Sequence, residues 1–318
     1  MHVRLRLSVA LAVVIPVCLL FPGSGGAAER IYVLSQTGAT LSAIADGADK
    51  ASFSIPLDKA PAAFVIDGGL AYVTHPDLGK VSVVDLEQRR VRRTIDVPGS
   101  PFGIAIAKDG RLFVGDWNGA HVSVIGGDGK ISKTVEVGRA PAHILLTPDQ
   151  KQLIVANRES DSISVVRTDD LAVTTTIPVG RAPFAIALSP DARRLYAGNV
   201  QGGTTSVIDM TTLAVVETLP SGAMPYGIAV APSGSPFLVT NQQAGTVAVM
   251  EAVGGAITPV KVGGYPEGVA VSADGAKAYV ANWFSDDVSV IDLATLKEIR
   301  RVKCAGGPRG IVISNEMP

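Results

Sequence analysis

The sequence predicts an all-β protein: a seven-bladed β-propeller with four antiparallel strands per blade, closed by pairing the C-terminal strand with the N-terminal strands. Three observations carry this. A proline in phrases such as "GRAP" recurs as Pro61, Pro101, Pro141, Pro183, Pro225, Pro266 and Pro308, at spacings of 40, 40, 42, 42, 41 and 42 residues. Self-similarity at that period marks a repeat architecture, and about 40 residues is what one four-stranded blade requires. Within each unit, apolar and polar residues alternate with period two, β-branched residues abound, and Gly, Pro and Asp punctuate the runs. The two ends of the chain are complementary fragments of one unit.

Each unit reads in the same order. After the proline comes an inner strand such as "FAIALS", then a turn such as "KDG" at Lys108–Gly110 or "ADG" at Ala273–Gly275. A second strand ("AYVAN"), a loop, a third strand ("VSVID"), a short turn and a fourth strand ("AVTTTIPV") follow. The stretch "RIYVLSQTGATLSAIADGADKASFSIPL" supplies a second, third and fourth strand with no first, whereas Pro308 is followed by "RGIVIS", a first strand alone. Joining them makes the seventh blade and removes the unpaired edge that an open array would present.

The phrases "YVTH" at Tyr72–His75, "LVTN" at Leu238–Asn241 and "YVAN" at Tyr279–Asn282, with "VG-x-x-P" at Val137–Pro141 and Val179–Pro183, resemble the YVTN-repeat (YncE-like) family of β-propellers. The resemblance runs over residues 29–318. It implies the fold, and, since some relatives accompany periplasmic quinoprotein or amine oxidation systems, an accessory role in such a system. That family also resembles the propellers of methylamine dehydrogenase heavy chain and nitrous oxide reductase. A propeller hosts unrelated functions, so neither likeness brings a chemistry with it.

Residues 1–28 read as a secretory signal peptide: Arg4 and Arg6 precede an apolar run over 7–21, and Gly26 and Ala28 occupy the −3 and −1 positions of a cleavage site. The run is shorter than the roughly 20 apolar residues of a membrane span. The expectation is therefore a periplasmic or secreted protein, with residues 29–318 forming one propeller domain and no membrane span after cleavage. Cleavage removes Cys18 and leaves Cys304 without a disulfide partner, so stability must come from packing, and Cys304 reads as a packed thiol rather than a reactive one. Loss of Arg4 and Arg6 moves the formal charge from −1 to −3, since 26 basic residues then face 29 acidic ones. No basic excess remains to hold nucleic acid by its phosphates.

In an up-and-down blade, the loop after strand two and the link from strand four to the next blade lie on one face, here called upper. Loops on a rigid scaffold are where function usually sits. The residue ending strand two reads Ser35, His75, Asp116, Asn157, Asn199, Asn241 and Asn282 through the blades. The second residue after each proline reads Ala63, Gly103, His143, Ala185, Gly227, Gly268 and Gly310, so His143 enlarges a slot otherwise reserved for the smallest side chains. His121 stands just before a third strand. His75, Asp116, His121 and His143 thus fall on one face in consecutive blades. Imidazoles and a carboxylate suit a divalent transition metal or proton transfer. They also suit independent surface substitutions, because Asp replaces Asn easily in a turn.

Trp117 and Trp283 follow the Asn position, where other blades hold Gln36, Pro76, Arg158, Val200 and Gln242, so the fold does not demand Trp there. Exposed Trp is a frequent binding anchor, and the alternative is a ring lying over its own hairpin. Arg139, Arg181 and Arg309 flank the links, with Tyr265, Tyr226, Phe102 and Phe184 nearby. They could hold a carboxylate or a partner's acidic patch, or be solvated loop charges. The chain lacks C-x-x-C-H, G-x-S-x-G and G-x-x-x-x-G-K, the marks of attached haem, a nucleophile elbow and a phosphate loop. At 5% aromatic content it lacks a nucleotide-stacking platform. The leading expectation is a non-catalytic binding or docking protein whose protein partner or small ligand meets the upper face. The alternatives are a metal-dependent enzyme, either a lactonase-like hydrolase or a dehydrogenase-associated subunit, and a metal carrier.

Overall fold

The computed structural model describes residues 29–251 and 256–314; the signal read at residues 1–28 lies outside them. Among the described residues, twenty-eight strands form seven four-stranded antiparallel sheets. The closing sheet has the order β28-β1-β2-β3, with β28 at Pro308–Ser314, β1 at Arg30–Ser35, β2 at Thr40–Ala45 and β3 at Phe53–Pro56. Ile31 stands opposite Ile313 and Val33 opposite Ile311. The ring is therefore closed by the two ends of the chain, as the repeat phase requires. No helix among the described residues is long and apolar enough to cross a membrane.

Burial follows position in the blade. The second and third strands of the fourth blade in chain order, β13 (Gln152–Asn157) and β14 (Ser162–Arg167), are buried almost throughout, because neighbouring blades cover both their faces. That is why "LIVA" and "ISVV" read as continuous apolar runs rather than alternating ones. The fourth strand, β15 (Val173–Pro178), is mostly exposed, and its counterpart β27 (Lys297–Lys303) carries five charged residues, with Ile299 and Val302 the two apolar ones, at the rim. Charged outer strands discourage edge-to-edge association.

A bulge at the start of the inner strand shapes the channel. In β12 (Pro141–Leu146), Pro141 pairs with Asn157 and Ile144 with Val155, so Ala142 and His143 share the single place opposite Ala156. The same two-against-one register recurs after Pro101, Pro183, Pro225 and Pro266, and between Pro308 and Gly310. A bulge re-aims side chains, and here it turns the first and second residues after each proline toward the axis. The backbone reverses onto this bulge through a left-handed residue just before the proline, as at Ala140 (φ 51°), Ala182 (φ 55°) and Tyr265 (φ 58°).

Small residues in the second slot have a steric reason. A Cβ on Gly227 would lie 2.1 Å from the Glu267 carbonyl oxygen, and one on Gly268 would lie 2.6 Å from that of Arg309. Adjacent inner strands are that close, and threonine ties them. The Thr240 hydroxyl accepts the Gly227 N–H at 2.7 Å and donates to the Glu267 carbonyl of the next blade at 2.7 Å. Thr74 likewise accepts from Ala63 N–H at 3.1 Å and donates to Phe102 O at 2.8 Å. Replacing Thr240 with the isosteric valine is expected to cost about 1–3 kcal/mol, the usual penalty for stranding a buried N–H. Urea unfolding would measure it, and a loss below about 0.5 kcal/mol, the size of a neutral surface change, would remove the interlock argument.

Candidate functional site

The first-slot residues Ala62, Phe102, Ala142, Phe184, Tyr226, Glu267 and Arg309 form a ring round the upper end of the channel. Together with the second-slot residues other than Gly103 they line a cavity of about 190 Å³ on the axis. One side is aromatic: Phe102 meets Phe184 edge-on at 5.8 Å between centroids, and Phe184 meets Tyr226 at 4.0 Å. The other carries charge. Arg309, whose side chain is 10% exposed, places Nε 3.3 Å from Oε2 of Glu267, which is 7% exposed. It also donates from Nη2 to the Tyr226 hydroxyl at 2.9 Å, and its guanidinium lies 5.5 Å from the Phe102 ring centroid. One arginine on the closing strand thereby touches residues of three other blades.

The electrostatics of this group are set by burial. Glu267 Oε1 accepts from Gln242 Nε2 at 3.0 Å, while Oε2 makes no hydrogen bond within the protein. Burial pushes the Glu267 carboxyl above the usual carboxylate range, and Arg309 and the Gln242 amide oppose that rise. Burial also raises the Tyr226 phenol. His143 Nδ1 accepts the Ile186 N–H at 3.0 Å. The remaining nitrogen of the neutral ring, Nε2, therefore carries the proton, in a side chain that lines the cavity. Burial lowers His143 to about 4, against a partial rise from that backbone bond.

This shift has a consequence for stability. The unfolded chain protonates His143 below about 6.5, while the folded protein resists until about 4, so the stabilisation is complete above 6.5 and is lost as pH falls between the two. The full shift corresponds to about 3 kcal/mol, which cavity solvent reduces to roughly 2. His75 adds in the same direction, since burial lowers it too. Thermal melts from pH 7.5 to 4 are expected to fall more steeply for the wild type than for His143→Gln; parallel curves would refute the assignment.

The other sequence-predicted residues fall elsewhere. His75 is fully buried: Nδ1–H donates to Lys59 O at 3.1 Å, and Nε2 accepts from the Ser82 hydroxyl at 3.0 Å. In this arrangement it has no free ring nitrogen. It replaces Asn157, Asn199 and Asn282, which donate to Ser164, Ser206 and Ser289, each seven residues on. Asp116 caps its turn, accepting from the N–H groups of Ser100 at 2.9 Å and Asn118 at 3.1 Å, with Oδ2 3.7 Å from His121 Nε2. The structure thus brings together Asp116 and His121 and leaves His75 and His143 apart from them. Among the described residues no three His, Cys, Asp or Glu side chains converge as a metal would require.

Trp117 is half-buried, 4.6 Å from Phe102 between centroids, with the Arg158 guanidinium 5.7 Å from its ring, so it backs the aromatic wall of the cavity. Trp283 and Tyr265 pack with Phe284, the residue of that cluster most open to solvent at 67% exposed. Arg139 and Arg181 are exposed and donate to the carbonyls of Glu159 and Gln201. Burial pushes the Cys304 thiol up to about 12, which makes it packing rather than a nucleophile. Glu267 escaped the sequence reading. Its signal was available: the first slot carries Glu267 and Arg309 in adjacent blades, opposite charges where other blades hold Ala, Phe or Tyr.

Comparison with known proteins bears on the fold. Residues 63–212, just under half of the chain, match the family model described as lactonase, 7-bladed beta-propeller. No curated protein matches. Among solved structures, hydrazine synthase of Kuenenia stuttgartiensis is 21% identical with a TM-score of 0.71, over 79% of this chain and 88% of that one. A functionally unknown protein of Desulfotomaculum acetoxidans is 15% identical with a TM-score of 0.76, over 89% of this chain and 98% of that one. Dihydro-heme d1 dehydrogenase NirN in complex with DHE is 18% identical with a TM-score of 0.65, over 86% of this chain and 63% of that one. These likenesses establish the seven-bladed propeller as the shared architecture.

Proposed function

We propose that this chain is a binding protein, exported to the periplasm or the exterior, whose small ligand occupies the upper end of the propeller channel, and that it serves as an accessory to an oxidation system. The observation that supports the binding role is the open-mouthed cavity, largely apolar, with the polar groups of His143, Tyr226, Glu267 and Arg309 on its wall. That combination of a concave apolar lining and few convergent polar groups is how small-molecule sites are built. The accessory role and the location rest on the YVTN resemblance and on residues 1–28.

A second reading is a lactone hydrolase, favoured by the family match over 63–212, a segment that includes His143. The chemistry of the site argues for binding instead. His143 spends its Nδ1 lone pair on Ile186 N–H and is a weak base at about 4, so it donates a hydrogen bond more readily than it activates water. Glu267 is then the one remaining base in the cavity wall, and Arg309 holds it. The deciding experiment is a ligand-observed NMR screen of small acids, amides and alcohols, repeated with Ala63→Leu, which fills the cavity, and paired with a pH-stat assay on a panel of lactones. Ligands displaced by Ala63→Leu and no acid release are expected. Acid release that is lost in Glu267→Gln would establish the hydrolase reading.

A further inference from the structure

We propose that the ligand of the channel cavity is a small aromatic monocarboxylate, held through its carboxylate by Arg309 and through its ring by Phe102, Phe184 and Tyr226. This rests on the reading of the cavity as a ligand site and names what the site selects.

The argument is an inventory of donors and acceptors. Guanidinium offers five N–H donors in a planar fork. In Arg309, Nε faces Glu267 and one Nη2 hydrogen goes to Tyr226 oxygen, while Nη1 has no partner among the described residues. Three N–H groups of a cation whose side chain is 10% exposed are thus uncommitted. Tyr226 accepts from Arg309, so its own hydroxyl proton is still to be placed, and His143 Nε2–H is a further donor on the wall. Against these stands one side-chain acceptor with spare capacity on the cavity wall, Glu267 Oε2, with the Gln242 amide oxygen also unpartnered behind it. A site so rich in donors calls for a ligand rich in acceptors and without donors of its own. An amine would meet the Arg309 charge, and an alcohol would satisfy one donor and leave the rest.

Size and shape narrow the class. A dry cavity of roughly 150 Å³ holds benzene, and this one, at about 190 Å³, has room for a ring and one carboxylate. The Phe102, Phe184 and Tyr226 rings, in contact with one another, give a flat ligand edges and faces to pack against. The arriving carboxylate competes with Glu267 for the same guanidinium. The groups round Glu267 are Arg309 on β28, Tyr226 on β20 (Pro225–Val230) and Gln242 beyond β21 (Phe237–Asn241), with His143 on β12 also lining the cavity. None but Arg309 is a cation at neutral pH, so a second anion is accommodated by protonating Glu267, whose burial already favours the acid.

Isothermal titration calorimetry with benzoate, neutral benzamide and cationic benzylamine tests this, at pH 6 and 7 in buffers of differing ionisation heat. Benzoate is expected to bind the wild type with proton uptake, and to bind Glu267→Gln about tenfold more tightly with uptake abolished, since the variant has no carboxylate competing for the guanidinium. The double variant Arg309→Met/Glu267→Gln leaves no buried unpaired charge and so keeps its fold; benzoate binding should be lost there while its melt stays cooperative. Benzamide binding as tightly as benzoate, or benzoate binding unchanged in the double variant, overturns the carboxylate class and leaves a cavity ligand standing. No binding of any of the three probes to the wild type or to Glu267→Gln overturns both.

Discussion

Arg309→Met is expected to destabilise the protein by about 3–5 kcal/mol, and Arg309→Met/Glu267→Gln to recover most of that loss, because the cost of breaking a buried pair lies mainly in the charge left behind. Arg309 and Glu267 are 10% and 7% exposed, and Glu267 retains only the Gln242 amide once the guanidinium is gone. The sign with pH follows. Glu267 already sits above the ordinary carboxylate range through burial, and Arg309 is the first influence opposing that rise. Without Arg309 the folded-state value climbs further, so the folded variant binds a proton that the unfolded chain has released. Its stability therefore declines as pH rises from about 4.5 through the elevated value, a slope the double variant lacks. Urea unfolding at pH 5.5 and 8, followed by tryptophan emission, measures both effects. Equal instability of single and double variants would mean that Arg309 acts through the packing of its planar guanidinium beside Phe102 rather than through its pairing with Glu267.

The fold was legible because a propeller repeats its phase: the proline spacing, the strand order within each unit and the complementary ends together specify seven closed blades. The site was legible in part. His143 stood out because a large side chain in a slot of Ala and Gly must occupy space that the other blades leave open, and the cavity is that space. Arg309 was read among the rim arginines, yet it is buried while Arg139 and Arg181 are exposed. The difference is three positions along the chain: Arg309 directly follows its proline and enters the bulge, whereas Arg139 and Arg181 stand two residues before theirs and stay on the link. Glu267 was hidden for the same reason, since the bulge that turns the first residue after the proline inward along with the second depends on register across strands. His75 had an explanation in the sequence. Ser82 follows it by seven residues, as Ser164 follows Asn157 and Ser289 follows Asn282, and that spacing is the hydrogen bond that holds each pair.

A chain ended at Gly307 is expected to lose cooperative folding, whereas a circular permutant that joins residue 314 to residue 30 and opens elsewhere should fold normally. The shorter chain lacks β28, so β1 becomes an edge. Ile31, Tyr32, Val33 and Leu34, all at 0% exposure, lose the strand that pairs with them. Ile311, Val312 and Ile313 go with it, and at about 1.5–3 kcal/mol for each fully buried side chain they sum to several kcal/mol even when only partly covered. A domain whose whole stability is about 5–15 kcal/mol does not absorb that together with the ladder hydrogen bonds. Removal also takes Arg309 from Glu267, adding an unpaired buried carboxylate to an opened ring. The permutant separates the two components of the argument: it keeps every contact of β28 and changes only the covalent connection, so it isolates strand pairing from chain order. Near-ultraviolet circular dichroism and size exclusion should find the truncated chain without fixed aromatic packing and prone to associate through the bare β1 edge. A truncated chain that melts sharply within a few degrees of the full one would mean that the remaining blades close without β28. The axial cavity could then not owe its charged wall to the closing strand.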